Sequence, residues 1–239
     1  MQHLGHTRSS YRRDHLLHTP DTFIRAPLPG MKNATAIVHA GPAMGAGFTQ
    51  YSVELQRDSS FALGRAQSFV YVLEGVVSIA DTALSAGQYC WLPPGTDALV
   101  AATEPARVAV IEKPHSALNG KVPDRLTGDE RCLPAISLLG DDAIGVRTLL
   151  PDDPAFDCAV NTLTYQPGAT LPMVEFHIME HGLLMLEGEG IYRLGDCWYP
   201  VKAGDFIWMA PYCPQWFGAL GKVPSKYLIY KDWNRHPLT

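Results

Sequence analysis

Phe69-Val70-Tyr71-Val72-Leu73-Glu74-Gly75 is a run of β-branched and aromatic residues closed by a glycine turn, and it reads as a strand. Gly182-Leu183-Leu184-Met185-Leu186-Glu187-Gly188 echoes it 113 residues later. Other segments recur in the same order. Cys158 to Tyr165 alternates as 48–55 does, and 190–194 mirrors 76–79. Gly204 to Met209 mirrors 87–92, and Ser225 to Tyr230 mirrors 106–111. The simplest account is a duplicated all-β unit of roughly 110 residues. The stretch 114–135, rich in Pro, Gly and charge, is the expected linker, so the domains are expected at 1–120 and 121–239.

Composition agrees with many short strands. The 239 residues include 19 Pro and 21 Gly, spread along the chain, which favours turns over a helical bundle. Net charge is −5 with no basic stripe, so nucleic acid is not an expected partner. No apolar run approaches the ~18 residues of a membrane span. Met1 to Asp14 lacks the apolar core of a signal peptide, so a cytoplasmic location is expected. The five cysteines lack C-x-x-C spacing and read as reduced, buried small hydrophobes. Residues 1–30 read as irregular, and His3, His6, His15 and His18 as part of a surface tail.

Just before the second echo lies Glu175-Phe176-His177-Ile178-Met179-Glu180-His181. With Gln215, it offers a carboxylate, two imidazoles and an amide oxygen, a set suited to Mn²⁺ or Fe²⁺. No thiolate is included, which argues against structural zinc. In a strand Glu175 and His177 share a face. Six extended residues span roughly 20 Å, so the chain must bend before His181 for it to reach the same ion. A helical reading is the rival: His177-x-x-Glu180-His181 fits the H-x-x-E-H pattern of inverzincin proteases. The duplication disfavours it, because the counterpart of 182–186 is a strong strand former.

Glu175-x-His177-x3-His181-x6-Gly188 and Gly204-x5-Ala210-x-Tyr212-x2-Gln215 resemble the two cupin motifs, with Glu, His and Gln substituted at ligand places. The ligand order Glu-His-His-Gln in a two-cupin chain resembles the (S)-ureidoglycine aminohydrolase family of allantoin degradation. The likeness extends to Tyr11-Arg12-x-Asp14, to Gly45-Ala46-Gly47-Phe48 and to the closing Tyr230-Lys231-Asp232-x-Asn234-Arg235.

The resemblance implies a bicupin of two double-stranded β-helix (jelly-roll) barrels, with Mn²⁺ (or Fe²⁺ or another divalent ion) only in the C-terminal one. Its ligands would be Glu175, His177, His181 and Gln215. The matching first-half positions, Ala62, Gly64, Ser68 and Ala98, cannot serve, leaving that half a scaffold or an oligomer interface. By the same match Glu175, Tyr192, Gln215, Tyr227 and Lys231 contact a small ureide substrate, and Glu175, Tyr227 and Lys231 are catalytic. Alternation puts Tyr227, Ile229 and Lys231 on one strand face. Lys231 inside an apolar barrel needs an anion, which a substrate carboxylate provides. The implied reaction replaces the amine of ureidoglycine by hydroxyl at a C–N bond, giving (S)-ureidoglycolate and ammonia, in a homo-oligomer. The alternatives are a metal-dependent cupin oxygenase or decarboxylase, in which three His and one Glu are usual, and a non-catalytic ligand-binding cupin.

Overall fold

The computed structural model describes residues 5–232; His3, Asn234 and Arg235 lie outside them. The chain is all-β, 55% strand, with three single-turn 3-10 helices among the described residues. No helix is long and apolar enough to cross a membrane.

Two compact units emerge. One comprises Ile24–Leu133 and Pro154–Asp157, and the rest of the described chain forms the other. In the first, the long strand Thr49–Ala62 pairs with Lys32–Ala40 along most of its length, with Ala106–Lys113 over its first half and with Leu99–Ala102 at its far end. One strand thus serves both layers of a curled sheet. Its alternate residues Tyr51, Val53 and Leu55 face a core with Val70, Val72, Val108 and Val110. Residues 114–135 are more than a linker: Leu126–Asp129 pairs with Gln88–Leu92 as an added strand.

In the second unit an eight-stranded sheet carries, in adjacent order, His15–His18, Phe206–Met209, His181–Glu187, Ser225–Lys231, Ala159–Tyr165 and Asp141–Thr148. A three-stranded sheet, Cys197–Lys202, Glu189–Leu194 and Gln215–Leu220, completes it. Alternate residues Leu163 and Tyr165, Leu183 and Met185, and Tyr227 and Ile229 enclose the core with Tyr192 and Phe217. Gly188 turns the chain between two strands at φ +71, where an added Cβ would lie 2.5 Å from the Pro224 carbonyl oxygen.

The N-terminal segment departs from the expectation of an irregular tail. His15–His18 pairs with Phe206–Met209, and His15 and Leu17 are buried. The tetrapeptide His15-Leu16-Leu17-His18, with His15 and Leu17 turned inward, fills the edge beside Phe206–Met209. His6 is exposed. Arg8 clamps the segment through Nη1 and Nη2 to the buried Asp205 carboxylate, at 2.5 and 2.8 Å. Residues 5–23 therefore belong to the C-terminal unit, and the boundary falls after Leu133. The cysteines are all free; Cys132 is exposed and Cys197 half-buried, unlike the other three.

Candidate metal centre and substrate pocket

The segment carrying the ligands runs along the Gln215–Leu220 strand without joining it fully. Glu175 donates its N–H to the Gln215 carbonyl (2.7 Å) and accepts from the Gln215 N–H (2.9 Å). Leu171 N–H donates to Phe217 O at 2.9 Å, and Tyr212 N–H to His177 O at 2.6 Å. These bonds fix Glu175 beside Gln215. Glu175 Oε2 stands 3.1 Å from His177 Nε2, the i, i+2 geometry of an extended pair. The chain then bends through 178–180, and His181 opens the next strand. Its ring centroid lies 5.3 Å from that of His177. No helix forms here, so the H-x-x-E-H geometry is absent. Glu180 is buried and accepts from Trp208 Nε1 at 3.2 Å.

His181 Nδ1 lies 2.8 Å from the Glu180 carbonyl oxygen. That contact fixes Nδ1 as the protonated nitrogen and leaves the Nε2 lone pair for a metal. Burial, then the neighbouring Lys231 and His177, push the His181 pKa down to about 3. The ring is thus neutral, as a ligand must be. One carboxylate, two imidazoles and one amide oxygen on adjoining backbone fit a hard-to-intermediate divalent ion.

Lys231 is directly opposite His181 across one strand pair and opposite Ala159 across the other. Burial lowers its pKa, while Glu175 opposes the shift. Tyr227 lies on the same face, and its hydroxyl is 2.8 Å from that of Tyr165. Tyr192 donates from its hydroxyl to Gln215 Oε1 at 3.0 Å. Burial raises the pKa of Tyr165, Tyr192 and Tyr227, so all three remain O–H donors. Tyr165 carries no motif of its own; its place with Leu163 in an alternating strand is the available sequence signal. A cavity of about 230 Å³ adjoins Lys231, lined by Leu150, Ala159, Asn161 and, at its exposed rim, Thr148 and Asp152.

Among the described residues one group of three His, Cys, Asp or Glu ligand atoms lies within 4.8 Å of one another, and it is elsewhere: Asp14, His15 and Cys213. Glu175, His177 and His181 stand more openly. The tight group is nevertheless the poorer metal site. His15 has both ring nitrogens engaged, Nδ1 with Asp14 Oδ1 and Nε2 with the Tyr199 hydroxyl, each at 2.9 Å. Burial, aided by Asp14, pushes the Cys213 thiol up to about 11. In the N-terminal unit Ala62, Gly64, Ser68 and Ala98 offer no imidazole or carboxylate. There the Glu112 carboxylate accepts from Gly64 N (2.7 Å).

Residues 161–230 match the cupin domain family model. The chain is 40% identical over 98% of its length to "(S)-ureidoglycine aminohydrolase" of Arabidopsis thaliana, spanning 80% of that protein. The chain belongs to the (S)-ureidoglycine aminohydrolase family. The Escherichia coli (strain K12) member is 31% identical over 92% of this chain and 88% of its own. The crystal structure of the Escherichia coli protein Ylba superposes with a TM-score of 0.86, 28% identity and 98% coverage of both chains. Bacillus subtilis oxalate decarboxylase, at 12% identity and TM-score 0.71 over 97% of this chain and 80% of its own, shares the fold.

Proposed function

We propose that this chain hydrolyses (S)-ureidoglycine to (S)-ureidoglycolate and ammonia. The observation that carries the reading is the Glu175-His177-His181-Gln215 set with Lys231 directly opposite His181, in a chain 40% identical to the Arabidopsis thaliana aminohydrolase. A divalent ion, Mn²⁺ or Fe²⁺, held by those four side chains would supply Lewis-acid polarisation and orient the substrate. Lys231, opposite His181 and beside the cavity, binds the substrate carboxylate. Tyr227, held by Tyr165, donates its O–H to the bound substrate and fixes which face of the α-carbon is open. Tyr192 acts one layer out, orienting the Gln215 amide. A water oxygen forms the new C–O bond as the C–N bond breaks, and one water proton leaves with ammonia. Glu175 is the group placed to relay that proton. The protein works as a homo-oligomer, as the resemblance implies.

The test is ammonia release by purified, Mn²⁺-supplied protein from ureidoglycine formed in situ from allantoate, with the spontaneous rate subtracted and product chirality followed. Enzyme-dependent ammonia with only the S product is the expected result. No rate above background, with metal bound, refutes the reading.

A further inference from the structure

The two barrels can be compared position by position through their strand registers. Asn161 pairs with Ile229 as Tyr51 pairs with Val110. Lys231 lies opposite His181 and Ala159 as Glu112 lies opposite Ser68 and Thr49. Asn161 thus occupies the place of Tyr51, Lys231 that of Glu112, and His181 that of Ser68. In the N-terminal barrel these positions satisfy one another. The Tyr51 hydroxyl bonds to Glu112, and Glu112 Oε1 also accepts from Gly64 N–H (2.7 Å) and Ser68 Oγ (3.4 Å). A large aromatic ring fills the space.

In the C-terminal barrel the counterparts leave space and an unmet bond. Asn161 is shorter than tyrosine, and about 230 Å³ opens between it, Lys231 and Thr148. Asn161 shares a strand face with Leu163 and Tyr165, both in the barrel core, so its side chain is directed inward. Its Oδ1 is buried and has no hydrogen-bond partner. A buried acceptor without a partner is costly. The fold tolerates it next to the residue assigned to the substrate carboxylate.

We propose that Asn161 is a specificity residue whose Oδ1 accepts a hydrogen bond from the terminal N–H₂ of the substrate's ureido group. The inference rests on the aminohydrolase reading and deepens it. Asn161 and Lys231 are diagonal neighbours on adjacent strands, with Cβ atoms about 7–8 Å apart or somewhat less. Their side chains can therefore grip the two ends of a small ureido acid, carboxylate at Lys231 and ureido at Asn161. An N–H donor pairs with the orphaned oxygen, whereas a methyl group in its place leaves that oxygen unmet.

The experiment compares wild type with Asn161→Leu and Asn161→Gln in the metal-supplied protein. Asn161→Leu removes the amide at similar volume. Asn161→Gln retains an acceptor and controls for packing. Turnover of ureidoglycine is read as KM and kcat separately. Calorimetric binding of N-carbamoylglycine is set against N-acetylglycine, which carries a methyl where the former has its terminal amide. Wild type is expected to favour N-carbamoylglycine by roughly tenfold or more. Asn161→Leu is expected to lose that preference and raise KM, with metal content unchanged and Tm unchanged or higher, because an unpaired buried acceptor has gone. Asn161→Gln is expected to retain part of the preference. If Asn161→Leu keeps the preference and the KM, the assignment of Asn161 is overturned. If wild type shows no turnover, the aminohydrolase reading falls, and the binding comparison still decides Asn161.

Discussion

Arg8→Ala tests how the N-terminal segment is held. The Asp205 side chain is fully buried and receives two bonds from the Arg8 guanidinium, at 2.5 and 2.8 Å, plus the Lys202 N–H at 2.9 Å. Removing one partner of a fully buried ion pair costs about 3–5 kcal/mol, because the other charge is stranded. Arg8 is 32% exposed at its side chain, so water enters the vacated space and the cost falls to about 2–3 kcal/mol. For a chain of this size, 1 kcal/mol moves Tm by roughly 2–4 °C, so a drop of about 5–10 °C is expected. Urea and thermal unfolding of wild type, Arg8→Ala, Asp205→Asn and the double variant form a cycle. The double variant should be destabilised by at least ~1 kcal/mol less than the sum of the singles. An Arg8→Ala Tm within a degree of wild type, or strict additivity, would show that the clamp contributes nothing.

His177→Ala is expected to lose bound metal and turnover together. Lys231→Met should keep the metal and lose about 100-fold or more in kcat/KM. Elemental analysis beside the kinetic assay separates the two. Gly188→Ala combines a positive φ, costing about 1–2 kcal/mol, with a Cβ pressed on Pro224 O, costing about 1–3 kcal/mol more; urea midpoints should show a loss of about 2–5 kcal/mol. Asp157 gives a pH signature in the N-terminal unit. Burial raises its pKa, but Lys113, Gln67 and the Ser116 N–H more than offset this, so its folded pKa is lowered. Its contribution is present above the unfolded value of about 3.9 and lost as pH falls through the folded value. Wild type should therefore lose stability over this acid range, while Asp157→Asn should be weaker at neutral pH and flatter below pH 4. Equal acid slopes would remove Asp157 as the cause.

Much of this was legible because the signals were local. The β-branched run at 69–73 and its echo at 182–186 carry strand propensity in themselves. Glu175 and His177 share a face by simple alternation, and the bend before His181 follows from the reach of an extended chain. The unread parts depended on partners distant in sequence. His15–His18 is too short to announce a strand, and only the free edge of Phe206–Met209 makes it one. Leu126–Asp129 sits in a Pro- and Gly-rich stretch whose composition says linker, yet pairing with Gln88–Leu92 decides otherwise. Tyr165 looks like any core aromatic until Tyr227 places a hydroxyl against it. The meaning of Asn161 needed both barrels in register, because a lone asparagine in a strand carries no signal of its own.

The placement of His15–His18 has a consequence for biosynthesis. This strand is made nearly two hundred residues before the edge it docks on, Phe206–Met209. Throughout that interval its backbone N–H and C=O groups face solvent or competing edges. Ribosome-bound chains halted before residue 206 should therefore show this segment open to protease, even where the valine-rich core of Ile24–Leu133 already resists cleavage. Closing so long a loop is a late step, and the sheet edge it seals stays open until most of the chain has been made.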